Sequence, residues 1–189
     1  MTRCLDIAHL NTRSLMANFS DLKEMLIFKK YDVLAVTETW LTSRISTIAV
    51  DIPGYTFVRS DRVCEKRGGG VGMYIRKGIT FSIVESVSSN LHIALEQLWI
   101  VLKLHNFTLV TGVIYRRQEC AYAGFFEALE ESLSLLMTHG NHILYTGDFN
   151  IDYLKSTDSQ TLQMLSLFHI FDNKQIINEP TRVCKRAVH

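Results

Sequence analysis

Long hydrophobic runs are missing from this chain of 189 residues, and so is a surplus of charge of either sign. No apolar stretch reaches the roughly 18 residues that would suggest a membrane span. The N-terminal MTRCLDIAHLN passes straight into alternating apolar residues, without the extended apolar stretch of a secretory signal. Twenty Lys and Arg against 19 Asp and Glu leave a formal net charge of +1, so any nucleic-acid partner must be argued from where the charges lie. Two Pro and ten Gly leave no room for a disordered linker. The cysteines Cys4, Cys64, Cys120 and Cys184 stand too far apart for the close pairing of a zinc site. Without a secretory context they read as free thiols in a reducing compartment. The expectation is a protein of a reducing compartment, not secreted and with no membrane partner. What is present is a 47% hydrophobic, 21% charged chain, enough for one domain over residues 1–189 with a proper core.

Strand-like and helix-like segments alternate along it. LDIAHLN (5–11) reads as a strand ending in a polar residue, and Leu22, Met25 and Leu26 mark an amphipathic helix over 20–30. DVLAVTET is nearly continuously apolar, as in a strand buried on both faces, and ends on Glu38. Short strands follow from about Tyr55 to Val84, with VGMYIRKG and TFSIVESV expected as hairpin-linked neighbours. LEQLWIVLKL and FTLVTGVIYR suit the centre of a sandwich. A helix over 123–138 gathers Phe125, Phe126, Leu129, Leu133, Leu136 and Met137 on one stripe. HILYTGDFNID then reads as a buried strand entering a polar loop, and a last helix over 159–170 points Leu162, Leu165 and Phe168 inward. The pattern is α+β, with two sheets and covering helices, not a strict βαβ alternation.

Three of these apolar strands end in residues able to hold a metal or a phosphate: Asn11, Glu38, and Asp148 with Asn150. Strand ends are rigid mounting points, and reactive groups need placement within a fraction of an ångström. A hard cation such as Mg²⁺ takes oxygen ligands and usually keeps several waters, so one or two carboxylates suffice. Glu38 is the first choice as direct ligand, with Asn11 beside it. Taken singly, Glu38 as a turn cap and Asn11 as the start of an Asx-turn are the plainer readings. Asp148, leaving a buried strand after Gly147, suits orienting a water and taking its proton, while Asn150 donates to a phosphate oxygen; a simple Gly-Asp turn is the alternative. Asp152 reads as structural. Tyr115 and Arg116 together suit a phosphodiester, against the plainer reading of an interior Tyr and a solvated Arg. GGGVG (68–72) is not a phosphate loop, because no GK[ST] follows and the next segment is a strand. Around it stand Arg59, Arg62, Lys66, Arg67, Arg76 and Lys77, diluted by Asp61 and Glu65, a group that suits either a DNA backbone or a solvated hairpin. His9 lies near Asn11 and reads as a hydrogen-bonded core histidine.

HLNTRSL (9–15), TETWL (37–41), GGGVGMYIR (68–76), GVIYRRQ (112–118), TGDFNID (146–152) and NEPTR (178–182) occur in this order. Together, over essentially the whole chain, they resemble the endonuclease domain of LINE-type (non-LTR) retrotransposons, a branch of the exonuclease III-like endonuclease/exonuclease/phosphatase superfamily. The resemblance implies a four-layer α/β sandwich, two packed mixed β-sheets flanked by helices, that cleaves phosphodiester or phosphomonoester bonds with Mg²⁺ or Mn²⁺. It implies that Asn11 and Glu38 hold the metal, Tyr115 contacts the phosphate, Asp148 positions or activates the water, and Asn150 stabilises the transition state. Arg116, Arg62, Thr181 and Arg182 are the expected substrate contacts, and DNA the expected partner, within what is in such elements a larger reverse-transcriptase polyprotein.

Two departures stand out. Arg117 and Gln118 occupy positions where the retrotransposon members usually carry prolines. The family also continues past NEPTR into an aspartate-containing strand and a Ser-Asp-His motif, whose histidine stabilises the attacked phosphate; this sequence stops at His189. The expectation is a C-terminally truncated sandwich lacking its last strands, with an unpaired β edge and catalysis weakened by several orders of magnitude, since residues acting as a unit fail together. Two other readings stand beside the nicking endonuclease: a catalytically dead remnant of a retroelement, and a phosphatase or phospholipase of the same superfamily.

Overall fold

The computed structural model describes residues 4–63, 68–88, 94–140 and 142–181. The chain divides into two compact units, Met1–Phe149 and Asn150–His189.

The first unit holds two mixed four-stranded sheets. One is built from β1 (Ile7–Asn11), β2 (Val33–Thr37), β3 (Tyr55–Ser60) and β4 (Val71–Arg76), in the order β1-β2-β4-β3. The other runs β5 (Thr80–Ile83), β6 (Leu95–Lys103), β7 (Thr108–Arg116) and β8 (His142–Asp148) in sequence order. Each contains one parallel pair, β1 with β2 and β7 with β8. A parallel pair needs a long crossover, supplied by α1 (Phe19–Lys29) in the first sheet and α3 (Tyr122–Leu136) in the second.

The alternation of side chains along β2 shows how the layers form. Leu34 and Val36 pack with Leu22 and Leu26 of α1 and with Phe57 and Tyr74. Val33 and Ala35 point the other way, into a core shared with Met73 and Ile75 and with Leu98, Ile100 and Val113 of the second sheet. All five residues of β2 are buried for this reason. On the far side of the second sheet, α3 buries Phe125, Phe126, Leu129, Leu133 and Leu136, and the Gln97 amide of β6 donates to Ser132 Oγ of α3 at 2.9 Å. Helix, sheet, sheet and helix make four layers. Each fully buried Leu or Phe contributes about 1.5–3 kcal/mol relative to an exposed one.

β8, expected as a buried strand, is half-buried at the edge of its sheet, and the structure corrects three further details of the sequence reading. The segments VGMYIRKG and TFSIVESV are not hairpin partners, because β2 and β3 occupy both edges of β4. The chain turns at Gly78 and crosses to the second sheet, where β5 pairs with β6; VESV closes as a single helical turn, α2 (Glu85–Ser88). Met137 lies just past the end of α3 and is exposed.

The third correction falls in the second unit, where α4 (Ser159–Ile170) buries Thr161, Met164, Leu167 and Phe168. Phe168 is inward as expected and stacks on Tyr153, with ring centroids 6.2 Å apart. Leu162 and Leu165, one position off this stripe, are exposed. Among the described residues no helix is long and apolar enough to cross a membrane.

Candidate active site

The register of the two sheets brings the polar strand ends together. Asn11 pairs with Thr37 across the parallel β1–β2 ladder, so Glu38 emerges beside it. In the other sheet Glu96, Tyr115 and Asp148 stand in one row, Glu96 opposite Tyr115 and Tyr115 opposite Asp148. Two side-chain hydrogen bonds join the sheets here. The Tyr115 phenol donates to Glu38 Oε1, and Asn11 Nδ2 donates to Asp148 Oδ2 at 2.8 Å.

Glu38 is held on both oxygens. Besides the phenol on Oε1, Oε2 accepts from Trp40 Nε1 at 2.5 Å and from the Gly69 amide at 3.1 Å. Burial by itself raises the carboxyl's pKa, but the bonds from Tyr115, Trp40 and Gly69, with the nearby Arg62 charge, outweigh it and hold the group below its ordinary value. Glu38 is therefore an anion at neutral pH. Tyr115 moves the other way, its phenol pushed up by burial and by the hydrogen bond and charge of Glu38, so it stays protonated and able to donate.

The triple glycine is demanded by this arrangement. Gly69 and Gly70 have φ of 68° and 82°, and their backbones lie against other groups: a Cβ on Gly69 would overlap the Arg62 guanidinium, and one on Gly70 would overlap Thr39 Oγ1. The loop then zips to the segment after β2, with Trp40 N donating to Gly69 O at 2.8 Å and Thr39 N to Gly70 O at 3.2 Å.

Asp148 ends β8 immediately after Gly147, where a Cβ would overlap the Ile114 carbonyl oxygen of β7. The neighbouring His9 contacts Thr37 Oγ1 at 3.1 Å, and burial pushes its pKa down to about 4 against the opposing pull of Asp148, so the imidazole is neutral. Asn150 opens the second unit with a left-handed φ of 51°. Asp152 is a local turn residue: its Oδ1 accepts from Leu154 N at 3.2 Å, and its Oδ2 lies 3.7 Å from Lys155 Nζ.

The basic residues divide by surroundings. Arg62 stands at the site, its guanidinium carbon 5.9 Å from the Tyr115 ring centroid and its Nε 2.5 Å from Glu96 Oε1. Arg116 is buried; it donates to the carbonyls of Phe149, Arg117 and Cys120 and lies 4.1 Å over the Tyr122 ring. That is the geometry of a brace. Arg59 pairs with Asp61 and Arg76 with Asp32, each at 3.5 Å. Thr181 is exposed in the second unit. Arg182 lies outside the described residues, as do Glu65, Lys66 and Arg67 of the basic hairpin and the cysteines Cys64 and Cys184; Cys4 and Cys120 are free thiols.

Three participants escaped the sequence reading: Trp40, Arg117 and Glu96. Glu96 left a usable signal, a lone acid inside the apolar strand LEQLWIVLK, with 0% exposure. A buried carboxylate must find cations or amide donors, and it finds Arg62, Arg117 and the Gly70 amide.

The donors gathered here suit a hard divalent cation: an ionised glutamate, an amide oxygen from Asn11 and a second carboxylate from Asp148. Among the described residues no group of three or more His, Cys, Asp or Glu side chains assembles a cage. The set therefore fits an ion that retains several waters, as Mg²⁺ does.

Comparison with known proteins agrees with this architecture. Residues 8–167 match the family described as the endonuclease/exonuclease/phosphatase family. Among solved structures the chain is similar to the endonuclease domain of TRAS1, a telomere-specific non-LTR retrotransposon, at 10% identity with a TM-score of 0.68, covering 91% of this chain and 74% of that one. It is similar to the 3′ phosphatase NExo from Neisseria, solved with a product DNA hairpin (17% identity, TM-score 0.61, covering 88% and 71%). It is similar also to the AP endonuclease LMAP from Leishmania major (14% identity, TM-score 0.65, covering 87% and 65%). Identities this low speak for the fold alone. The comparison with curated protein sequences found no match. A match spanning most of the chain, on a sandwich of this topology, means that the chain belongs to the endonuclease/exonuclease/phosphatase family.

Proposed function

We propose that the chain is a divalent-metal-dependent phosphodiesterase that nicks DNA, the endonuclease of a non-LTR retrotransposon, leaving a 3′-hydroxyl able to prime reverse transcription. The observation that carries this reading is the pair of bonds across the sheet ends, Tyr115 to Glu38 and Asn11 to Asp148. They gather an anion, a protonated phenol and a second carboxylate at one rigid place. We take residues 1–189 as one domain of the family, because the match runs from residue 8 to residue 167 across both compact units.

In this reading Glu38 and Asn11 hold Mg²⁺ or Mn²⁺, which when bound polarises the phosphate and neutralises its charge. Asp148, oriented by the Asn11 amide, takes the proton of the attacking water. The Tyr115 phenol, held protonated, turns its single O–H from Glu38 to the phosphate as charge develops there, and Asn150 adds a second donor. Arg62, Thr181 and Arg182 contribute contacts to the DNA backbone. Arg116, occupied by three backbone carbonyls, we assign to bracing the turn after β7.

The test is nicking of supercoiled plasmid in Mg²⁺, in Mn²⁺ and in EDTA, with Asp148→Ala alongside and a phosphomonoester as second substrate. Metal-dependent nicking that Asp148→Ala abolishes is the expected result. Release of phosphate from the monoester without nicking would replace the nuclease by a phosphatase. A folded chain inert on both would mark the scaffold of a decayed element.

A further inference from the structure

Glu96 takes no part in the chemistry just described, yet it sits beneath it. It is wholly buried, and three donors converge on it: Arg62 Nε and Arg117 Nε reach Oε1 at 2.5 and 2.8 Å, and the Gly70 amide reaches Oε2 at 2.5 Å. We infer that Glu96 is a positioning residue, which fixes the Glu38 carboxylate by pinning the Gly69–Gly70 loop and the Arg62 guanidinium that packs on it. This deepens the proposed function and rests on Glu38 being the metal-holding group there.

The chain of contacts is short. Glu96 fixes Gly70 through its amide, and Gly69, the adjoining residue, donates its own amide to Glu38 Oε2 at 3.1 Å. The same two glycines accept the Trp40 and Thr39 amides, and the Trp40 indole donates to that Oε2 as well. Glu96 also anchors Arg62, which lies against Gly69 and beside the Tyr115 ring, the other donor to Glu38. Of the donors to Glu38, Gly69 adjoins the residue that Glu96 holds, Trp40 is bonded to that same glycine loop, and Tyr115 is the cross-strand partner of Glu96. A carboxylate is required at this position because acceptors alone satisfy all three donors. The amide of a glutamine would turn a donor toward either the guanidinium pair or the Gly70 N–H.

Two variants on the full chain, Glu96→Gln and Glu96→Asp, test this with two readouts: hydrogen–deuterium exchange of the segments covering 38–41 and 68–71, and Mn²⁺ affinity by electron paramagnetic resonance. The aspartate keeps the charge that the two arginines need but is one methylene too short to reach both them and Gly70, so it serves if the glutamine variant does not fold. Expected are faster exchange at both segments, unchanged exchange in β6 and β7, and Mn²⁺ binding weakened about 10- to 100-fold, the usual effect of losing a partner that orients a ligand. Unchanged exchange at 68–71 overturns the inference, and so does a loosened loop with wild-type Mn²⁺ affinity. A wild-type chain that binds no Mn²⁺, compared with Glu38→Ala, sinks the metal reading of the site instead; the exchange data then decide the role of Glu96 alone.

Discussion

Replacing Tyr115 by Phe removes one oxygen and little else. The ring stays in the core between the sheets, among Val33, Met73 and Leu98, and beside the Arg62 guanidinium. What goes is the phenol's bond to Glu38 Oε1. A hydrogen bond to a charged group contributes about 1.5–3 kcal/mol net, and Glu38 is only half-buried, so the lower end applies. For a chain of this size that is a fall in Tm of roughly 3–6 °C, which calorimetry reads directly. The effect on rate is larger if the phenol donates to the phosphate as its charge grows. Losing one such preorganised donor lowers kcat by about 100- to 1,000-fold, with KM little changed, because the interaction is made mainly in the transition state. Single-turnover nicking in Mn²⁺ measures the first figure, and a titration of substrate the second. A variant with the expected drop in Tm but kcat within twofold of wild type would show that Tyr115 only steadies Glu38. A loss of rate matched by an equal loss of Mn²⁺ affinity would place its action on the metal-holding group and not on the phosphate.

Other changes probe the frame and its protonation. In Gly147→Ala the new Cβ lands on the Ile114 carbonyl of β7, whose backbone is fixed by ladders on both sides, so urea denaturation is expected to show no folded baseline or a loss of more than about 3 kcal/mol. Leu26→Ala, emptying a wholly buried position under α1, is expected to lower stability by about 2–5 kcal/mol while leaving nicking per folded molecule unchanged. His9 is held neutral in the fold, with a pKa of about 4 against an ordinary 6.5. Between these values the unfolded chain binds a proton that the native one does not, so stability is full above pH 6.5 and falls as the pH drops toward 4, by at most about 1.4 kcal/mol per unit. In EDTA, His9→Gln is expected to flatten the pH dependence of Tm across that window; an unchanged slope would assign the acid sensitivity to other groups.

The strands were legible where the residues themselves enforce an answer. A run such as VLAVT is buried on both faces, as its unbroken apolar character suggests, and the stripe from Phe125 to Leu136 is the buried face of a helix. The polar strand ends were legible for the same reason, since an apolar strand that stops at Asn11, Glu38 or Asp148 delivers that side chain to a rim. Which strand pairs with which was not legible between β4 and β5, because nothing local to VGMYIRKG reveals that both its edges are already taken by β2 and β3. The same limit hid Trp40, Arg117 and Glu96. Their contacts join residues as far apart in sequence as Arg62 and Glu96, or lie across the turn from Glu38 to Trp40 that only the folded loop creates. Arg116 shows the converse. A guanidinium beside a phenol suits a phosphate by chemistry, but backbone carbonyls within reach of its Nε and Nη1 satisfy it first.

Backbone conformation singles out the same strand ends independently of side-chain chemistry. Four residues with side chains, Arg13, Ser14, Glu38 and Trp40, have positive φ between 41° and 87° in the two segments that follow β1 and β2. Each such residue costs about 1–2 kcal/mol relative to an ordinary conformation. The surrounding bonds over-determine them. Ser14 N donates to Glu38 O at 2.8 Å, Leu15 N to Thr39 O at 2.9 Å, and Thr12 Oγ1 to both the Thr37 and Glu38 carbonyls at 3.0 Å. The Asn18 amide closes the first segment on Thr12 O at 2.8 Å. A turn that merely reversed the chain would relax to commoner angles, or place Gly or Asn at these positions. Holding a glutamate and a tryptophan in left-handed backbone makes sense if their side chains must leave the strand at a fixed angle, and both converge on the same oxygen, Glu38 Oε2. Strain concentrated at the end of two strands, and offset by a closed set of hydrogen bonds, is how a fold holds a reactive group in one orientation. It sets the segments after β1 and β2, beside the bond from Asn11 to Asp148, apart as the most tightly over-determined turns at this end of the two sheets.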